Sequence, residues 1–224
     1  MTRATVLALC FIVAAACRAG AEEIDLLTTQ TPDGEIAGWR SYHEAPGAKT
    51  GEVWRLQPDG VLVCAGKPKG YLHTEKDYAD FVLKFEWRYP AGAKESKGGV
   101  LVRMTGEHGI WPKCLEAQLN MGGAGDFWGL RGYVLTGPAE RSKTIPESPF
   151  GVLRNVKRAS DAEKPAGEWN MHEVAVRGDT VMQTLNGVRV NEATGCETVA
   201  GKILLTAEGN EVQFRNVRLT PGGR

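Results

Sequence analysis

The clearest pattern in the chain is FVLKFEWRY, residues 81 to 89, where Phe81, Leu83, Phe85, Trp87 and Tyr89 alternate with Val82, Lys84, Glu86 and Arg88. Side chains two apart share one face of a strand, whereas a helix could not gather this set into a stripe, so the segment predicts a strand with one buried face. The same alternation recurs at 99 to 104, 115 to 120, 172 to 177, 180 to 185, 188 to 192, 202 to 206 and 212 to 219, separated by glycine, proline and asparagine. Asn186-Gly187 joins two of these segments, and such a pair predicts a type I′ hairpin because both central residues need positive φ. In the last segment the apolar phase slips from Val212 and Phe214 to Val217 and Leu219, which predicts a bulge near Arg215-Asn216. No stretch holds a helical period for three turns and no internal repeat is visible. Many short alternating segments without a βαβ rhythm predict an all-β fold, a two-sheet antiparallel jelly-roll sandwich. Residues 137 to 168 mix proline and charge with little periodicity and read as a long surface excursion.

One strand is unusual in its polar face. In IWPKCLEAQLNMGGAGDFWG, residues 110 to 129, Glu116, Gln118 and Asn120 interleave with Leu115, Ala117 and Leu119. A strand here turns hydrogen-bonding groups to one side and apolar groups to the other, the arrangement a sugar-reading sheet requires. A glycine-rich turn with Asp126, Phe127 and Trp128 follows and can set a carboxylate and an aromatic platform at the end of that face. Glu116 is the first candidate for a general base or a metal-binding carboxylate, with Gln118 and Asn120 orienting hydroxyls. Arg103 and Lys113 are candidates for stabilising developing negative charge. His108, in the loop GEHGIW, brings a near-neutral pKa, and Trp111 and Trp128 flank the strand as candidate stacking surfaces. Asp126 and Glu208 can reach the same cleft if the loops converge. His73 is a weaker candidate, and His172, alternating with Val174 and Val176, reads as packed.

Composition narrows the partners. Lysine plus arginine and aspartate plus glutamate number 27 each, and no basic stripe appears, which removes the electrostatic motive for nucleic acid or an anionic membrane. Arg3, the apolar run from Val6 to Ala16 and the small residues Ala19-Gly20-Ala21 predict a secretory signal over residues 1 to 21, too short to span a bilayer. The expected mature protein, 22 to 224, is then one domain of roughly 200 residues, secreted or periplasmic. Lipoprotein anchoring at Cys17 is the rival address, weakened by the missing leucine at the third position before it. Three cysteines follow the leader, Cys64, Cys114 and Cys196, an odd number that allows one disulfide and one buried thiol. No CxxC pair or Cys/His cluster suggests zinc, and no acidic loop suggests an EF-hand. A divalent ion at Glu116 stays open.

Several strings resemble the 3-keto-disaccharide hydrolase family over about Trp54 to Leu219: GYLHTEKDYADFVLKFEWRY, GGVLVR, IWPKCLEAQL, AGDFWG, GEWN, LNG and VQFRNVRL. The family's Asn-Ser-Gly-Val string is replaced by Lys97-Gly98-Gly99-Val100. The resemblance implies a concanavalin A-like jelly roll, a secreted setting, and cleavage of glycosides oxidised at C3. A C3 ketone acidifies the C2 hydrogen and makes the glycosidic oxygen on C1 a β leaving group, so elimination followed by hydration gives net hydrolysis. That chemistry needs a base near C2 and a proton donor near the leaving oxygen. An ordinary glycosidase needs two flanking carboxylates, and this strand offers amides after Glu116. The alternative is a non-catalytic, lectin-like carbohydrate-binding domain, which the same strand and tryptophans would serve.

Overall fold

The long alternating segment becomes the central strand of one of two antiparallel sheets in the computed structural model, which describes residues 22–222. The expected leader lies outside the described residues. In chain order the strands are β1 Ile24–Asp25, β2 Trp39–His43, β3 Trp54–Leu56, β4 Leu62–Cys64, β5 Gly70–Thr74, β6 Phe81–Arg88, β7 Gly99–Thr105 and β8 Lys113–Gln118. They continue as β9 Phe127–Leu130, β10 Ser142–Ile145, β11 Leu153–Val156, β12 Asn170–Arg177, β13 Thr180–Leu185, β14 Val188–Ala193, β15 Lys202–Ala207 and β16 Val212–Pro221. A back sheet runs β14-β13-β12-β6-β16-β4-β3, with β1 on β16; a front sheet runs β10-β11-β9-β8-β7-β15-β5-β2.

The alternation works as the sequence predicts. Phe81, Leu83, Phe85 and Trp87 of β6 point inward, where they meet Leu115 and Ala117 of β8, Val100 and Val102 of β7 and Ile203 and Leu205 of β15 in one core. Each large apolar side chain buried this way contributes about 1.5–3 kcal/mol. Asn186 and Gly187 take φ of 50° and 83°, as the hairpin requires, and the register of β16 shifts between Arg215 and Arg218 with Asn216 at φ 51°. His172 is packed: Nε2 bonds Gln183 Oε1 at 2.9 Å and the ring stacks on Phe85. Burial drives its pKa down to about 4.

Three expectations change. The stretch read as a surface excursion folds in part into β10 and β11, a hairpin that extends the front sheet past β9. Its outward residues Ser142, Lys143 and Thr144 are exposed, so no apolar alternation announces β10. The glycine-rich turn after β8 ends at Asp126, because Phe127 to Leu130 pair with β8 instead of forming part of the turn. Cys64, Cys114 and Cys196 are all buried free thiols, so no disulfide forms among the described residues. No helix among them is long and apolar enough to cross a membrane.

Candidate functional site

The front sheet is buried on both faces. Its inner side chains enter the core, while Tyr71, Leu101, Met104, Cys114, Leu130 and Leu204 form a second apolar cluster on the outer side, packed against Trp111, Trp128 and Leu153. A cleft of about 220 Å³ opens in this outer layer. Its floor comes from neighbouring strands in register: Glu116 of β8 lies between Leu101 of β7 and Trp128 of β9, and Gln118 lies opposite Gly99. Its rim and walls are Lys97, Trp111, Asn120, Phe150, Leu153 and Glu208.

Glu116 is seated by a glycine. A Cβ placed on Gly99 would lie 2.8 Å from Glu116 Oε1 and 3.0 Å from its Cγ, so a larger residue there would displace the carboxyl from this position. Nothing in the protein donates a hydrogen bond to that carboxyl among the described residues, and burial pushes its pKa well above the carboxylate range; Glu208 and then Asp126 push it further. Glu208 sits differently. The Gly99 N–H donates to Thr206 Oγ1 at 2.7 Å, which commits the Thr206 hydroxyl proton to Glu208 Oε1 at 2.8 Å. Burial raises Glu208 as well, while the Thr206 bond and the charges of Lys97 and Lys69 oppose that rise. Two carboxyl groups thus line one cleft, one of them with a hydrogen-bond donor and the other without, and these unlike environments favour the ionised form at Glu208 over Glu116.

Aromatic side chains flank the carboxyls. Trp111 stands on the loop between β7 and β8 with φ 55°, a left-handed conformation that costs a bulky residue about 1–2 kcal/mol. Phe150 stands on the loop between β10 and β11, and Lys143 from β10 lies 5.0 Å above the Trp128 ring.

The structure thus gathers Glu116, Gln118, Asn120, Trp111 and Trp128 of the expected set around one cleft, together with Glu208. The others lie elsewhere. Arg103 is 1 % exposed and takes φ 55° at a bulge in β7; its guanidinium donates to the carbonyls of Glu197 and Gly178 at 2.7 and 2.6 Å and meets Asp80, so it ties loops together and does not face the cleft. Lys113 pairs with Glu197 at 2.9 Å. It lines a neighbouring cavity of about 380 Å³ with Arg131 and His108. His108 is hydrogen bonded through Nδ1 to the Tyr71 hydroxyl at 2.9 Å and lies 4.6 Å from the His73 ring; burial lowers its pKa, and Lys202 lowers it further. Asp126 is held by Arg158, through its backbone N–H at 3.0 Å and its guanidinium at 3.6 Å. Phe150 and Leu153 were not legible as site residues, because the segment carrying them has no apolar period. Among the described residues no three His, Cys, Asp or Glu side chains are gathered as a metal site.

A family model, the 3-keto-alpha-glucoside-1,2-lyase-like domain, matches residues 28–220. The chain belongs to that family. It is a carbohydrate-active protein by that membership, and the jelly roll of this member is shared with distant solved structures. One, from Parabacteroides distasonis and described as a glycosyl hydrolase, is 18% identical with a TM-score of 0.60, covering 90% of this chain and 100% of that one. A Bacillus licheniformis β-glucanase is 11% identical with a TM-score of 0.56 over 92% and 100% of the two chains. The carbohydrate-binding module CBM66 of Bacillus subtilis is 13% identical, TM-score 0.55, over 81% and 94%. No curated protein matched.

Proposed function

We propose that this family member cleaves 3-keto-glycosides by β-elimination across C1 and C2, in the cleft that holds Glu116 and Glu208. The observation that carries the reading is the pair itself: two half-buried carboxyls in unlike hydrogen-bonding environments, lining one cleft between aromatic walls. Elimination asks for one proton acceptor and one proton donor at the same moment, and one ionised and one protonated carboxyl in the same cleft supply both without a covalent nucleophile. The hydroxyl of Thr206 and the nearby lysines favour the carboxylate form at Glu208, so Glu208 is the base that takes the C2 proton. Glu116, with no donor and a raised pKa, is the protonated partner and delivers its proton to the glycosidic oxygen as the C1–O bond breaks. This assignment moves the base from Glu116, where the strand pattern alone puts it. The products are the free alcohol and a 3-keto sugar with a C1=C2 double bond; addition of water, oxygen to C1 and proton to C2, completes net hydrolysis. Lys97, in place of the family's asparagine, lines the cleft and is the cation positioned to face the developing enolate charge. The leader sequence suggests that the reaction takes place outside the cytoplasm.

The test is incubation of the protein with a 3-keto-glucoside and with its unoxidised parent, following release of the alcohol and of the unsaturated sugar. Cleavage of the oxidised sugar alone is expected. Cleavage of the parent at a similar rate, or binding of both without turnover, would sink the elimination reading, and the second outcome would leave a lectin-like domain.

A further inference from the structure

The two aromatic walls of the cleft come from loops far apart in sequence, and one residue bonds both of them. β9 lies between β8 and β11 in the front sheet, so the residue that follows its last position falls between the loop leading into β8 and the loop leading into β11. That residue is Arg131. Its backbone N–H donates to the Phe150 carbonyl at 3.2 Å, and its guanidinium donates from Nε to the Trp111 carbonyl at 2.6 Å and from Nη2 to the Ile110 carbonyl at 3.1 Å. Gly132 extends the tie with an N–H to the Val152 carbonyl at 2.8 Å. To make these bonds Arg131 adopts φ 49°, and Trp111, on which it acts, adopts φ 55°. Two non-glycine residues in the left-handed region, hydrogen bonded to one another beside a cleft, mark a backbone held in place by its surroundings.

We propose that Arg131 is a positioning residue that sets the spacing of Trp111 and Phe150, and through it the fit of the sugar between the walls. The role rests on the sugar-cleaving reading of this cleft. Arg131 does not line the cleft, and its side chain is exposed, so it contributes little to the core and its replacement leaves the sandwich folded. Two charge-assisted bonds to successive carbonyls fix the Trp111 peptide in a way that one ammonium group reproduces only in part. Substrate positioning appears in KM when ground state and transition state use the same contact.

The variants are Arg131→Asn, which tolerates the left-handed backbone without supplying the guanidinium, and Arg131→Lys. Three quantities are measured in each: melting temperature, KM and kcat on a 3-keto-disaccharide, and the acrylamide quenching of Trp111, taken as the difference from the same protein carrying Trp111→Phe. For Arg131→Asn the expected result is more quenching at Trp111 and KM raised about tenfold with kcat changed less than about threefold. Arg131→Lys recovers part of both. Unchanged quenching and KM in Arg131→Asn overturn the proposal, as does a loss of kcat that follows a fall in melting temperature with KM constant. If the unaltered protein turns over no 3-keto-disaccharide, the functional reading fails, and the Trp111 quenching still decides whether Arg131 holds the wall.

Discussion

The outer faces of the two sheets treat their carboxylates in opposite ways. On the back sheet Glu86 receives Nε and Nη2 of Arg215 at 2.9 and 2.6 Å and the Asn216 amide as well, Glu173 faces Lys84 at 3.8 Å, and Asp25 faces Arg218 at 3.2 Å. On the front sheet Glu116 has no donor and a second carboxyl in the same cleft. These three back-sheet carboxylates each face a cation, whereas Glu116 is paired with none among the described residues. A fold that pairs these back-sheet carboxylates, yet sets two carboxyls together in one front-sheet cleft, concentrates its unfavourable electrostatics at that cleft.

The sharpest break of this contrast is in turnover. Glu116→Gln and Glu208→Gln are each expected to lower kcat on a 3-keto-glucoside about 100- to 10,000-fold, the usual weight of a general acid or base, while Glu86→Gln leaves kcat within about twofold. Steady-state kinetics of the three variants side by side decides it, and equal losses in all three would erase the distinction between the sheets.

Next in size is a stability effect of the buried imidazole that packs on Phe85. The folded pKa of His172 is depressed from 6.5 to about 4, so the unfolded chain binds more protons between those values. Stability is therefore full above pH 6.5 and falls as the pH drops toward 4, by about 3 kcal/mol from this one group. Urea unfolding across that range should show the slope, and the His172→Gln variant should lack it.

The front carboxyl gives the opposite sign. A folded pKa raised above 4.5 means that the native protein holds its proton more tightly than the unfolded chain, so Glu116 is least costly in acid and costs more as the pH rises through its folded value. Glu116→Gln should accordingly unfold at higher urea than the parent at pH 8, with the gain gone below about pH 4.5; a variant no more stable at pH 8 would show that the carboxyl is solvated in solution. The smallest effect belongs to the back sheet, where removing the partly exposed Glu86–Arg215 pair should cost about 1 kcal/mol or less.

The longer strands, β6 to β8 and β12 to β16, were legible from their alternation, whereas the short ones, among them β3 and β4 of three residues each, were not. β13 was bounded at Thr180 and Leu185 from its alternation alone, and β6, β12, β14, β15 and β16 within two residues at either end. β5 and β9 were not legible. β5 is buried at every position from Gly70 to Thr74, so no polar phase marks it, and β9 is four residues long between glycine-rich segments. The site shows the same division. Glu116, Gln118 and Asn120 announce themselves because they interrupt an apolar period in phase. Arg103 has the same phase on β7 as a wet residue would, yet a bulge carries it to the far side of the strand, and a sequence pattern holds no trace of a single residue in the left-handed region. Phe150 reaches the cleft by the path of its loop, which no periodicity encodes.

The hairpin of β10 and β11 ends the front sheet, with β10 as its last strand and no strand paired beyond it among the described residues. An edge hairpin is the one part of a sheet whose length can change without disturbing a ladder on its other side. Because Phe150 rides on the tip of this one, the length of the segment from Ile145 to Leu153 sets how far that wall reaches over the cleft, independently of the carboxyls on β8 and after β15. On the proposed elimination chemistry, enlarging that loop is thus a route to bulkier aglycones that leaves the two carboxyls where they stand.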